Sequence, residues 1–314
     1  MLVLQRWLGA AVVATALVTS GCTGQHEVKV TVKAAEGEEA EASTEEAAVT
    51  EAAGYGNLVG TVTFEGDAPH LSPLVKAKDG GVKDAAVCAA AEVPDESMLV
   101  NAENKGIANV VIFLDKRPKN IKEELAKPPT DPVIFDQKGC RFLPHILTVQ
   151  IGQPLLVKSD DAIAHNTHTN PFRNTPFNQA IKADDRVGVP CNYSKAENGP
   201  IEVKCDLHPW MRAYHFPVDH PYVAITDENG KFRIDGLPAG THTFKVWHEK
   251  APGDAKLLER KLEITIEADS DTTQDLAYGG SKFAYTPRPA HRSVAVSRLQ
   301  AGGELILTQT EGNR

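Results

Sequence analysis

One seven-residue stretch constrains this chain most: Cys205-Asp-Leu-His208-Pro-Trp-Met211. It gathers a thiol, an imidazole and a thioether, and a His165-Asn166 pair lies forty positions upstream on another apparent strand. Donors so spread along a chain converge only if stiff elements carry them, and the sequence from Gly56 onward has the composition of strands. Asn57-Leu-Val-Gly-Thr-Val-Thr-Phe64 is rich in β-branched and apolar residues and ends at the turn-forming Glu65-Gly66-Asp67. Asn109 to Leu114 is a short apolar run of the kind buried on both faces. Pro132 to Phe135, His145 to Ile151 and Gln153 to Lys158 follow, the last two separated by Gly152. A single short helix is predicted from Asn120 to Ala126, bounded by Pro128-Pro129, while 70–105 has no assignable pattern. The polar, turn-rich segment from His168 to Asn192 reads as a long excursion beside the donors. The fold class expected is all-β.

The first residues predict export. Arg6 precedes an apolar run from Leu8 to Val18, too short for a permanent membrane span and followed by the small residues Thr19-Ser-Gly21. Ser20-Gly21-Cys22 resembles the bacterial lipobox, with Thr19 where leucine is usual, which implies lipidation of Cys22. The alternative is a secretory signal with an incidental cysteine. Residues 34–53 carry seven Glu and no Lys or Arg, so the chain's formal charge of −9 falls to −2 without them. That run lacks apolar periodicity and reads as a solvated tether. No concentrated basic patch suggests nucleic acid. The expected location is therefore the periplasm or cell envelope, with a lipid anchor in the membrane.

Four cysteines remain after Cys22. An oxidising compartment favours pairing, and Cys88–Cys140 is the preferred bridge because both lie beside apparent strands and outside the donor stretch. Closing that loop would stabilise by roughly 4 kcal/mol in the chain-entropy model. Cys191–Cys205 is the competing pair, and it would leave a purely structural domain.

A cysteine and two histidines with a weak axial methionine form a soft, near-trigonal set that suits copper. Thiolate and thioether favour Cu(I), and imidazole serves both oxidation states. One copper ion, bound in a type 1-like site by His165, Cys205, His208 and Met211, is the cofactor expected. His145 and His168 are weaker candidates that could replace Met211 or add a fifth ligand, although His168 points opposite to His165 on a regular strand. Trp210 is read as shielding the ligands or opening a route for electrons.

From Phe142-Leu-Pro144 through Gly152 and Ser159-Asp-Asp161 to His165-Asn166, and again from Ile201 to Met211, about 80 residues resemble the cupredoxin family. The resemblance implies a Greek-key β-sandwich, His165, Cys205 and His208 as equatorial ligands, Met211 as the axial one, and Asn166 as a brace for the cysteine loop. The His-x-x-Met spacing is shorter than in small cupredoxins and is similar to that of binuclear copper domains. Ile201 stands where a binuclear centre needs another cysteine, so a mononuclear site is expected.

A second resemblance begins after the donors. Thr226-Asp-Glu-Asn-Gly230-Lys-Phe-Arg-Ile234 and Gly236-Leu-Pro-Ala-Gly240 resemble the carboxypeptidase regulatory-like domain, an Ig-like or prealbumin-like β-sandwich without peptidase activity. Asp227 to Gly230 is hairpin-turn chemistry, and Lys261 to Glu267 would close the sheet. The opening strand of that family is similar to Gly60-Thr-Val-Thr-Phe-Glu-Gly66-Asp-Ala-Pro69. One sandwich split by an inserted copper unit, or three successive units, would each fit. The expected organisation is a signal at 1–21, a tether at 22–55, a β region at 56–130, the copper domain at 131–217, the regulatory-like sandwich at 218–280 and an extension at 281–314.

The function expected is transfer of single electrons between a protein donor and a protein acceptor. The alternative is a non-redox envelope scaffold that holds a partner or glycan. No His-x-His pair is present for a second copper, so no enzyme is expected.

Overall fold

The computed structural model describes residues 54–283. The signal, Cys22, nearly all of the tether and the extension beyond 283 lie outside them. The strands in chain order are β1 (Tyr55–Glu65), β2 (Val111–Leu114), β3 (Val133–Gln137), β4 (Phe142–Leu143), β5 (Ile146–Gln150) and β6 (Leu155–Val157). Next come β7 (His165–Thr169), β8 (Asn178–Ile181), β9 (Val189–Pro190), β10 (Ile201–Lys204), β11 (Arg212–Val218) and β12 (Val223–Ile225). The last are β13 (Lys231–Pro238), β14 (Gly240–Trp247), β15 (Leu257–Ile266), β16 (Asp271–Thr273) and β17 (Leu276–Gly279). The protein is all-β, and among the described residues the α-helix is limited to one turn, α1 (Ala85–Cys88).

Among the described residues, four sheets pack around three of four apolar clusters. β13-β1-β16, with β17 also on β1, faces the sheet β12-β2-β14-β15. Leu58, Val62, Ile112, Ile234, Phe244 and Ile264 lie among the residues packed between them. The sheet β5-β11-β10-β7-β8 faces β4-β3-β6-β9 around a second core that includes Phe135, Phe142, Leu155, Val203 and Cys205. A third, aromatic core of Val111, Ile146, Tyr214, Phe216 and Trp247 joins the two pairs. Strands from both ends of the sequence share the first sandwich: β1 pairs with β13, and β2 with β12 and β14.

Side-chain parity explains these assignments. On β13, Phe232 and Ile234 turn inward while Lys231, Arg233 and Asp235 face water, the period-two pattern of a sheet with one wet face. β2 has no wet face. Ile112 and Leu114 enter the first core while Val111 enters the aromatic one, so its run is apolar throughout.

Three local expectations need correction. Residues 123–125 form a 3-10 turn rather than a helix over 120–126, because a stretch this short before Pro128 cannot repay the cost of α-helix nucleation. The segment from His168 to Asn192 is more than an excursion: β8 pairs with β7 from His165↔Ile181 to His168↔Asn178. Its residues are polar because it is an edge strand on which only Ile181 is buried, so no apolar alternation marks it. The turn at Asp227–Gly230 forms, but it leads from β12 in one sheet to β13 in the other instead of closing a hairpin. Gly230 has φ 75°, and a Cβ there would lie 2.3 Å from the Val62 carbonyl oxygen, so only glycine lets β1 approach this turn.

Candidate metal centre

β7 and β10 run antiparallel, with Lys204 opposite His168, so the residue after β10 arrives beside the first half of β7. That residue is Cys205. His165 begins β7, and the loop from Cys205 returns through His208 to Met211, closed by hydrogen bonds from Met211 N to His208 O (2.9 Å) and from Cys205 N to Met211 O (3.3 Å). Donor atoms of His165, Cys205 and His208 all lie within 4.8 Å of one another, and all three residues are buried. The two Nδ1 atoms are 2.9 Å apart, and Cys205 Sγ is 3.7 Å from His208 Nδ1. Met211 is buried in the same core as Cys205.

Each imidazole turns its other nitrogen to a carboxylate. His165 Nε2 lies 2.9 Å from Asp161 Oδ2, and His208 Nε2 lies 3.0 Å from Asp84 Oδ2. With both Nε2 atoms donating, both Nδ1 atoms carry lone pairs, and two lone pairs at 2.9 Å repel unless a proton or a metal cation lies between them. Burial opposes the charged His165 ring, but hydrogen bonds to Asp161 and Cys205 outweigh it and raise its pKa to about 8. Burial, together with the nearby His165 charge, holds His208 below the ordinary histidine value despite Asp84. Burial also opposes the Cys205 thiolate, yet hydrogen bonds from His165 and from the amides of Asn166, Leu207 and His208 bring the thiol below its usual value. Two inward imidazole nitrogens, a thiol biased toward thiolate and a buried thioether fit a soft or borderline metal such as copper.

Asn166 ties this loop to its neighbours. Its Oδ1 accepts from the Asp206 amide at 2.7 Å and from the Cys205 thiol at 3.3 Å. Its Nδ2 donates to Asp206 Oδ2 and to Asn178 Oδ1, both at 2.9 Å. The Asn166 amide also reaches Cys205 Sγ at 3.5 Å.

His145 and His168 stand apart from the cluster. His145 Nε2 is bonded to Glu249 from the other sandwich and lines a cavity of about 370 Å³ that also touches Trp210 and Met211. His168 faces Asp206 at 2.9 Å on the opposite side of β7 from the core. Cys88 and Cys140 are joined by a disulfide, and Cys191 and Cys205 are free, buried thiols. The disulfide removes Cys140 from a second grouping with Asp161 and His165, since a bonded sulfur offers no thiolate.

The cupredoxin-like stretch includes Asp161, but the sequence assigned no role to it or to Asp84. Asp161 had a local signal, four residues before His165. Asp84 had none, because it comes from the unassigned stretch 70–105 and meets His208 only through tertiary packing.

No family model matches the chain, and no curated protein does. Part of it is similar to solved cupredoxin structures. A copper-containing nitrite reductase from Thermus scotoductus matches at 17% identity and a TM-score of 0.26, over 30% of this chain and 25% of that one. The chain thus spans about a quarter of that enzyme's length. Amicyanin from Paracoccus versutus matches at 16% identity and a TM-score of 0.25, over 34% of this chain and 97% of the amicyanin. A purple cupredoxin from Nitrosopumilus maritimus matches at 16% identity and a TM-score of 0.23, over 28% and 98%. The expectation that this chain is no enzyme is corrected by these likenesses, which include an enzyme, the nitrite reductase.

Proposed function

We propose that the chain binds one copper ion through His165, Cys205, His208 and Met211 and passes single electrons between protein partners. The observation that carries this reading is the convergence of two carboxylate-held imidazoles and one free thiol, all buried, on a single point. Copper in such a set alternates between Cu(I) and Cu(II). The chain's own part is to hold the donors still while the charge changes. Asp161 and Asp84 fix the imidazole tautomers, hydrogen bonds to Cys205 favour its thiolate, and Asn166 pins the loop. Burial of all three donors would keep water from a bound copper ion and limit solvent reorganisation when its charge changes.

The setting proposed is outside the cytoplasm, in the periplasm or cell envelope, with Cys22 lipidated and 34–53 as the tether. The Arg6-led apolar run supports export, and the Cys88–Cys140 bond suits an oxidising compartment. The sandwich built from β1, β2 and β12–β17 is proposed as a regulatory-like scaffold that carries the copper unit.

The test is the absorption and EPR spectrum of the copper-loaded protein beside Cys205→Ser. An intense thiolate-to-copper band with one copper per chain, absent from the variant, is the expected result. A colourless wild-type protein would sink the proposal.

A further inference from the structure

A histidine on a loop between two strands ordinarily keeps its outer ring edge in water, yet His208 is fully buried. What covers it is a strap formed by part of the unassigned stretch 70–105. Val75 and Val93 pair as an antiparallel bridge, α1 lies between them, and Val75, Ala89 and Val93 pack against Trp210. The Cys88–Cys140 disulfide ties the strap to the turn between β3 and β4, and a hydrogen bond from Trp210 Nε1 to Cys140 O at 3.2 Å ties that turn to the His208 loop.

Asp84 is the unusual member of the strap. It occupies the N-cap of α1 with φ 54° and ψ 38°, a left-handed conformation that aspartate tolerates better than most residues and that Lys78 of the strap also adopts. An aspartate at that position normally accepts a hydrogen bond from the helix's own first amides, but this side chain makes none. Its carboxylate instead reaches His208 Nε2 at 3.0 Å. Local backbone energy and helix capping are both forgone for one contact with a candidate ligand. The carboxylate is thus turned from its own helix to a ring that is a candidate ligand.

We infer that Asp84 is a positioning residue that sets His208 for copper and tunes the copper couple, delivered to its place by the Cys88–Cys140 disulfide; this rests on the copper reading above. Accepting the Nε2 proton fixes the ring's rotation and leaves Nδ1 as the inward lone pair. A carboxylate behind the ring also makes the imidazole a better donor, which favours Cu(II) over Cu(I). Asp161 does the same for His165, and the disulfide supports both carboxylates. The Cys140 amide donates to Asp161 Oδ2 at 2.8 Å, and the Cys88 amide donates to the Asp84 carbonyl at 3.0 Å. One covalent link thereby sets the outer walls behind both imidazoles.

The experiment compares the copper-loaded full-length chain with Asp84→Asn, Asp84→Ala and Asp84→Glu. The readouts are the thiolate–copper band, the rate of Cu(II) release to EDTA, the reduction potential and the urea midpoint. Asp84→Asn and Asp84→Ala are expected to release Cu(II) about 10- to 100-fold faster. Their potentials rise by about 59 mV for each tenfold by which Cu(II) binding weakens more than Cu(I) binding. Asp84→Glu restores part of both. In the Cys88→Ser/Cys140→Ser double variant, release is expected to be equally fast, and adding Asp84→Ala is expected to change it little. A wild-type band accompanied by unchanged release and potential in both Asn and Ala variants overturns the inference and leaves the copper reading standing. So does a lowered urea midpoint with a wild-type potential, which would make Asp84 a purely structural brace. No band in the wild-type chain overturns the copper reading and this inference together.

Discussion

Replacing Asn166 by alanine isolates the cost of holding the cysteine loop. The side chain makes four hydrogen bonds, but they are unequal. The two from Nδ2 go to Asp206 and Asn178, both exposed enough for water to substitute. The two to Oδ1 come from the part-buried Asp206 amide at 2.7 Å and from the buried Cys205 thiol. Leaving a shielded donor without an acceptor costs about 1–3 kcal/mol, whereas a solvent-replaced bond costs a few tenths. The thiol is a weak donor, so the Asp206 amide dominates, and the sum for Asn166→Ala is about 2–4 kcal/mol of folding stability. Asn166→Asp separates geometry from charge. One carboxylate oxygen can still accept from the Asp206 amide beside the Cys205 sulfur, but the other then faces the Asp206 carboxylate and the Asn178 side-chain carbonyl oxygen, and the side chain carries a new negative charge. The variant should therefore lose at least as much stability as alanine, and it should also raise the pH at which Cys205 reacts with a thiol reagent. Urea unfolding of the copper-free protein, combined with the pH profile of thiol alkylation, measures both. A loss below about 0.5 kcal/mol for Asn166→Ala, within the range of an ordinary surface substitution, would refute the brace argument. An unchanged alkylation profile in Asn166→Asp would refute its electrostatic part.

Two other outcomes are expected. Burial lowers the pKa of His215 to about 3 and that of His248 to about 4, while both titrate near 6.5 when unfolded. At these two sites the unfolded chain binds more protons below pH 6.5, so their contribution to stability falls as pH drops from 6.5 toward 4, by about 2 kcal/mol per histidine at pH 5, against a smaller opposite contribution from His165, whose pKa is raised to about 8. Urea titrations at pH 7.5 and 5 measure this, and His215→Phe should shrink the difference; equal stability at the two pH values would contradict it. Trp247 stacks edge-on against Tyr214 and Phe216, each with centroids 5.0 Å away, at the junction of the two sandwiches. Trp247→Ala should cost about 3–5 kcal/mol. Thermal unfolding should show both sandwiches destabilised together, and a melt that splits into one wild-type and one lowered transition would mean that the junction does not couple them.

Much of the centre is legible along the chain because its chemistry is local. Cys205, His208 and Met211 share one seven-residue loop, and a loop this short brings them together with little help from the rest of the fold. The alternation on β13 and the unbroken apolar run of β2 are equally local, since parity follows directly from strand geometry. β8 escaped notice because an edge strand exposed on most of its length needs no apolar alternation. His145 stood beside a motif that resembles a ligand sequence, yet its partner Glu249 comes from the other sandwich, so its place was decided by a contact that no local pattern encodes.

The sequence by itself therefore determined an all-β chain, the donor types and the loop that holds three of them. Tertiary structure alone decided what stands behind the donors: the strap over His208, the left-handed Asp84 aimed at its ring, and the aromatic core that joins the sandwiches. The physical reason is separation along the chain. Periodicity and spacing report interactions within a strand or loop, whereas Asp84 and His208 belong to distant segments and meet only once the sheets have packed and the disulfide holds the strap beside them.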